Sequence, residues 1–287
     1  MNPTPSPPPV ALTIAGSDNS AGAGAQADLK TFTAFGVYGL TALTCVVAEV
    51  PGRVSRIQAV DVEVVREQIA LSLGAFPVAA IKTGMLYSRE NIRLVAALYR
   101  ALPTPRPPLV VDPVIVATSG DALLRADAIS AYREELLPLA ALVTPNLDEA
   151  RVLLDGRAIL DLDALEIAGV ELARRYGVPF LMKGGHLAQQ SWEQLSPKEE
   201  QAREAVDFLL SPQNPVVRFA APFTPGVATH GTGCTYAAAV AAGLARGLEL
   251  AEAVAGAKRF VTAAIADFFR WQGADDRRVD ALAHFAR

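Results

Sequence analysis

Short apolar runs rich in β-branched residues alternate along the chain with longer amphipathic stretches, and this rhythm restricts the fold more than any other feature. VALTIAG (Val10 to Gly16), LTALTCVVAE (Leu40 to Glu49), VAAIK (Val78 to Lys82), PLVVD (Pro108 to Asp112), ALVT (Ala141 to Thr144) and VPFLMK (Val178 to Lys183) read as strands. Helices fall between them. One carries Leu29, Phe32 and Phe35 and stops at Gly36; the next starts near Val62 with Val65, Ile69 and Leu73 on one face. Ser88 is an N-cap for a third, with Ile92, Val95, Ala96 and Tyr99 inward. Asp127 to Leu137 and Leu165 to Tyr176 follow, the latter closed by Gly177. AVDFLL and VVRFAA read as an antiparallel pair joined through SPQNP, and the helices GCTYAAAVAAGLARG and EAVAGAKRFVTAAIADFF close the chain. Strand–helix alternation of this kind implies a mostly parallel sheet with helices on both faces, an α/β fold. No composition shift or internal repeat divides the chain, so a single domain over residues 10–287 is expected. A flexible Pro-rich tail at 1–9 precedes it, and the polar stretch 188–203 reads as a surface insertion.

Composition narrows the partners. With 51% hydrophobic residues among 287, the chain has apolar material for a full core. The net charge of −4, with no basic block, argues against nucleic acid or an anionic membrane as partner. Two cysteines, Cys45 and Cys234, exclude a disulfide framework. The start lacks the layout of a signal peptide, and apolar runs are broken before spanning length, so a cytoplasmic location is expected.

In open α/β sheets ligands bind at the carboxyl ends of the strands. That rule singles out Gly16 to Gly24, Glu49, Lys82 to Met85, Asp112, Thr144 to Glu149 and Lys183 to His186. The strongest local signal is THGTGCTYAAAVAAGLARG (Thr229 to Gly247). Gly231 and Gly233 flank Thr232 and let consecutive N–H groups converge, and a helix starts at once, which makes an anion site without a cationic side chain. Cys234 sits at that helix N-terminus, where a thiolate is favoured. In TPNLDEA (Thr144 to Ala150), Asn146 and Glu149 are spaced as an N-cap and its capping-box partner; a carboxylate there could also hold Mg²⁺ through water. Lys82 in KTGM and Lys183 in KGGH each end a strand and either could neutralise phosphate, while Asp112 ends another. The segment from Gly22 to Ala27 matches the dinucleotide pattern G-x-G-x-x-G/A, but Ser17 to Ala21 separate it from the strand, which argues against nicotinamide binding.

Together the pieces ALTIAGSD, GAGAQADLKTF, KTGML, VVDPV, SGDALL, LVTPNLDEA, MKGGHL and THGTGCT stand in the order seen in hydroxymethylpyrimidine/phosphomethylpyrimidine kinases, which the chain resembles from Val10 to about Phe268. That resemblance implies a ribokinase-like three-layer α/β/α sandwich. It also implies ATP-dependent, Mg²⁺-assisted phosphorylation of 4-amino-5-hydroxymethyl-2-methylpyrimidine and its monophosphate in thiamine biosynthesis, by a homodimer. In it Gly231, Thr232 and Gly233 would hold the transferring phosphoryl group and Cys234 would take the hydroxyl proton. Lys183, Asn146, Thr144 and Thr229 would contact ATP, and Asp112 and Glu149 would organise Mg²⁺. Gly16, Asp28, Glu49, Met85 and Val114 match positions lining the pyrimidine pocket. Glu49 departs from a usual Gln, which can both donate to and accept from the aminopyrimidine; an ionised Glu can only accept. Thr118 replaces a usual Lys and Ala228 a usual Asn. The same turn occurs in pyridoxal kinases of this scaffold, a second expectation prompted by Glu49. A relative that binds pyrimidines without turnover is a third.

Overall fold

The computed structural model describes residues 6–115, 128–185, 187–189, 204–228, 230–273 and 278–285. Thr118, Thr229, His186 and nearly all of the 188–203 stretch therefore lie outside the described residues, as does the tail's start at 1–5.

The first apolar run forms β1 (Val10–Asp18), buried over almost its whole length. It continues two residues past Gly16 because the polar ends of Ser17 and Asp18 are met locally. Gln26 donates to Ser17 Oγ at 2.7 Å and accepts the Asp18 N–H at 3.0 Å. Helix α1 (Gly24–Ala34) follows. β2 (Tyr38–Val50) turns through Pro51 and Gly52 into β3 (Arg53–Ala59), a mostly exposed edge strand that sequence patterning does not reveal. The end of the tail is tied down: the Pro9 carbonyl accepts the Tyr38 N–H at 2.8 Å.

α2 (Val62–Ala75) is capped by Asp61, and α3 (Arg89–Ala101) by Ser88, as its sequence predicts. They flank β4 (Val78–Thr83) and precede β5 (Leu109–Val111). The helix expected to Leu137 is a short α4 (Ile129–Ala131) that passes into π-helical Tyr132–Leu136 and a 3₁₀ turn at Leu137–Leu139. β6 (Leu142–Val143), α5 (Leu147–Leu153) and α6 (Leu162–Tyr176) come next. Gly177, at φ +71°, ends α6 in the left-handed region. β7 (Phe180–Lys183), β8 (Glu204–Leu210) and β9 (Val217–Pro222) complete the sheet. α7 (Thr232–Ala245) and α8 (Leu250–Ala266) follow. The expected run of helix through Phe269 is wrong at its end: the helix stops at Ala266, and Phe269–Gln272 is β10, paired with β11 (Arg278–Ala281) in a separate hairpin.

The nine main strands lie in the order β3-β2-β1-β4-β5-β6-β7-β8-β9. β2, β1, β4, β5, β6 and β7 are parallel, β3 pairs antiparallel on one edge, and on the other β8 pairs antiparallel with both β7 and β9. This is the expected three-layer α/β/α arrangement. One core lies between the sheet and α2 to α6, centred on residues such as Ile69, Ile92, Leu136 and Leu172. The other joins the sheet to α1, α7 and α8. α7 is buried from Thr235 to Gly243, so its alanines serve close approach: a Cβ on Gly243 would sit 2.8 Å from the Ala253 Cβ of α8. Among the described residues, no helix is long and apolar enough to cross a membrane.

Candidate active site

The carboxyl ends of β1, β4, β5, β6 and β7 bring Asp18, Gly84, Asp112, Thr144 and Lys183 to one rim of the sheet, and the first turn of α7 sits over them. Gly231 precedes this helix at φ +80°, and its own residue provides no side-chain cap. Side-chain space there is closed as well, because a Cβ on Gly231 would collide with the Gly22 carbonyl. Glycine at 231 is thus demanded twice, by backbone angle and by contact. Gly233 is a second close approach: a Cβ there would lie 3.2 Å from Lys183 Nζ and 3.7 Å from Asp112 Oδ2. The first turn of α7, with its positive dipole end, therefore lies directly against Lys183.

Asp112 is buried, and its Oδ1 accepts from Thr144 Oγ1 at 3.0 Å and Lys183 Nζ at 3.1 Å. Burial works against the charge on Lys183, but Asp112 and Glu149 outweigh it and raise its pKa. Asn146 and Glu149 do form a reciprocal capping box at the start of α5: the Glu149 N–H donates to Asn146 Oδ1 at 3.0 Å, and the Asn146 N–H to Glu149 Oε2 at 2.8 Å. Burial pushes the Glu149 carboxyl up to about 8, against the pull of Lys183 and with the repulsion of Asp112.

Cys234 behaves differently from the reading of its sequence position. Burial pushes its thiol up to about 12, only partly offset by Lys82 and a hydrogen bond from Gly24, so the ligand-free protein holds a thiol rather than a thiolate. The helix terminus does not overcome desolvation here.

Lys82 has no free role towards phosphate. Its ammonium is fully buried and donates to both oxygens of Asp28, at 3.0 and 2.8 Å, while Thr13 donates to Asp28 at 2.6 Å. Burial alone favours the neutral form of both groups; the short contact and the Thr13 hydroxyl favour the ion pair. Asp28 accordingly sits behind the rim, locked inside, and presents no surface to a ligand.

The other proposed pocket residues form a small apolar cluster at the β1–β2–β4 end. Cys45, Val47 and Met85 are buried there, with Val114, Val54, Ile57 and Tyr87 packed around them. A Cβ on Gly16 would meet Cys45 Sγ at 2.9 Å and Met85 Sδ at 3.5 Å, so the glycine at 16 makes room for sulfur. Glu49 is half-buried next to this cluster, with its N–H bonded to Asn19 Oδ1 at 2.7 Å. Burial, then the charge of Asp18, raises its pKa, with His230 opposing.

Asp18 and His230 lie within the segments ALTIAGSD and THGTGCT, whose sequence alone discloses no role for them. Asp18 organises the loop after β1: it accepts from the Ser20, Gly22 and Ala23 N–H groups and the Ser20 hydroxyl, and meets His230 Nε2 at 3.1 Å. Burial works to raise Asp18, but these bonds, His230 first, hold it down at about 2. Asp18 thus takes the Gly22 and Ala23 N–H groups just ahead of α1, and Gly22 is packed against His230, with 2.7 Å to its Cδ2 from a Cβ there. A dinucleotide phosphate at that helix start would face the Asp18 carboxylate, which argues against such binding. Potential donor atoms of Asp18, Glu49 and His230 lie within 4.8 Å of one another, and Asp18 Oδ2 already meets Ser20 Oγ, the Gly22 and Ala23 N–H groups and His230.

The chain is similar over most of its length to known proteins. A family model described as phosphomethylpyrimidine kinase matches residues 18–276. The chain belongs to the phosphomethylpyrimidine kinase family. A hydroxymethylpyrimidine/phosphomethylpyrimidine kinase of Rhizobium meliloti (strain 1021) is 46% identical over 257 residues, 89% of this chain and 90% of the relative. Among solved structures, an ADP complex of Bacillus subtilis pyridoxal kinase superposes with a TM-score of 0.80 at 35% identity, covering 96% of this chain and 97% of the other. A phosphomethylpyrimidine kinase from Clostridium difficile 630 gives 0.73 at 34% identity, covering 89% of this chain and 99% of the other. The ribokinase-like fold expected from sequence is thereby shared with kinases of both vitamin families.

Proposed function

We propose that the protein transfers the γ-phosphoryl group of ATP to 4-amino-5-hydroxymethyl-2-methylpyrimidine and then to its monophosphate. The observation that carries this reading is the meeting of the Gly231–Cys234 turn with Lys183 and Asp112. Phosphoryl transfer needs positioning and charge neutralisation more than covalent chemistry, and this corner supplies both. The oxygen of the substrate hydroxyl bonds to the γ-phosphorus, the bond from that phosphorus to ADP breaks, and the hydroxyl proton passes to the thiolate form of Cys234, which becomes a thiol. The N–H groups of the turn face the three oxygens that carry the charge, and Lys183 meets them from β7. Thr144 and Asn146 set the edge of the nucleotide site, and Thr229 is proposed as a further contact.

Asp112 and Glu149 fit a Mg²⁺ ion. They are hard oxygen donors, Asp112 just past the end of β5 and Glu149 in the first turn of α5, and a divalent cation would offset the burial and the Asp112 charge that raise Glu149. When bound, Mg²⁺ would supply neutralisation of the phosphate charge. Gly16, Met85, Val114 and Glu49 would take the pyrimidine ring, with Asp28 contributing from behind through Lys82. A homodimer fits the outward-facing Val46 and Val50 on β2. Pyridoxal is retained as a second substrate reading, because the fold superposes on a pyridoxal kinase with a TM-score of 0.80 and Glu49 stands in the ring pocket.

Glu49 gives the test. Its protonated form offers one donor and one acceptor, as Gln does, and burial with the Asp18 charge favours that form. The group gains its donor as pH falls. Pyrimidine affinity in the wild type should therefore strengthen as pH falls through the raised Glu49 pKa, and Glu49→Gln should bind about 5- to 100-fold more tightly where Glu49 is ionised, with the gap closing at lower pH. Titration calorimetry beside phosphorus NMR of the product checks this. A pyrimidine that is neither bound nor converted to a phosphate ester at any pH would sink the reading.

A further inference from the structure

The family model ends at residue 276, yet polar contacts reach the anion turn from beyond it. The β10–β11 hairpin stands apart from the main sheet. All of β10 is exposed, with Trp271 54% exposed. A groove of about 880 Å³ lies between the hairpin and α1. Beside the buried Leu282, the hairpin and the segment just after it bury two polar side chains, Asp280 and His284.

Both point at the chain around the turn. Asp280 takes Arg270 Nε at 2.6 Å and Nη2 at 2.7 Å, a two-pronged pair. Its Oδ2 also accepts the Ala228 N–H at 3.0 Å, and Arg270 Nη2 donates to the Gly226 carbonyl at 2.8 Å. The pair therefore grips the connection from β9 at residues 226 and 228, just ahead of Gly231. On the far side, His284 Nε2 lies 2.9 Å from Thr235 Oγ1, and that hydroxyl lies 2.9 Å from the Gly231 carbonyl oxygen. The turn between these grips has two glycines and no side-chain cap of its own. Its position must come from outside.

We propose that the C-terminal hairpin is a brace for the anion turn, with Asp280, Arg270 and His284 as positioning residues for phosphoryl transfer. The inference rests on the reading of that turn as the phosphoryl site. A donor array displaced by about 1 Å can cost on the order of 100-fold in rate, without loss of the ring pocket.

The test uses the full chain and four variants: Asp280→Ala, Asp280→Asn, His284→Ala and His284→Gln. The alanine variants should lose about ten-fold or more in kcat while KM for the alcohol stays within about two-fold. Asp280→Asn and His284→Gln should recover part of the loss, because an amide can still accept from Ala228 or bond Thr235. A purely structural role would lower Tm and leave kcat per folded molecule unchanged, and that result overturns the brace. If Asp280→Ala does not fold, Thr235→Val, which keeps the volume and removes the hydroxyl, carries the same comparison. Normal kcat in the folded variants beside an inactive Cys234→Ala would bring down the brace alone. A wild type without turnover would bring down the reading of the turn and the brace with it.

Discussion

Cys234→Ala is expected to lower turnover by about 10²- to 10⁴-fold, the usual share of a positioned proton acceptor, and to leave ATP affinity within a small factor. The backbone donors of the turn remain in the variant, so nucleotide binding survives. The protonation state adds a sharper signature. Burial pushes the thiol up to about 12, so only a small thiolate fraction exists at neutral pH. That fraction grows about ten-fold for each pH unit below the pKa. kcat/KM for ATP, measured at saturating alcohol, should climb with pH across the neutral range in the wild type and lose that slope in Cys234→Ala. Equal slopes in both would remove Cys234 as the acceptor.

Lys82→Met should cost the fold about 3–5 kcal/mol. The ion pair with Asp28 is wholly buried, and deleting the cation leaves a carboxylate with only Thr13 as partner. The sign of its pH dependence follows. An unpaired, buried Asp28 has a folded pKa raised above its unfolded value of about 4, so its penalty is absent below that pH and grows as pH rises. The deficit against wild type should shrink as urea denaturation is moved from pH 7 towards pH 4. The double variant Lys82→Met/Asp28→Asn should recover a large part of the loss. A single variant as stable as wild type at pH 7 would show that the pair is not closed to water.

The two lysines illustrate what the sequence discloses. KTGM and KGGH look alike, each a lysine ending a strand ahead of glycine. Lys82 is paired in register with Thr13 of β1, and so faces Asp28 of α1; Lys183 meets Asp112 and the turn of α7. Which face a strand-end lysine takes is a matter of strand register, and composition does not carry it. The capping box of Asn146 and Glu149 was legible from spacing, whereas the burial that raises Glu149 comes from the assembled rim. The β1 extension through Ser17 and Asp18 was hidden because its polar side chains find partners in Gln26 and the next loop, nine residues or fewer away. β3 was missed because an exposed edge strand has little apolar pattern, and its pairing is fixed by the Pro51–Gly52 turn. The C-terminal hairpin was missed for the opposite reason. The apolar spacing of α8 continues into Phe268, but the Ala283 N–H reaches back to the Ala264 carbonyl at 3.0 Å and the Asp267 N–H closes the helix on Ala263. Long-range contacts, not local propensity, set that boundary.

The most direct test of the central claim is ADP release by the purified chain with ATP and Mg²⁺, measured in parallel on hydroxymethylpyrimidine, its monophosphate and pyridoxal. The account predicts turnover of both pyrimidine species, each with kcat/KM above that for pyridoxal. Turnover of pyridoxal alone, or of none of the three by a folded protein that binds ATP, would contradict it.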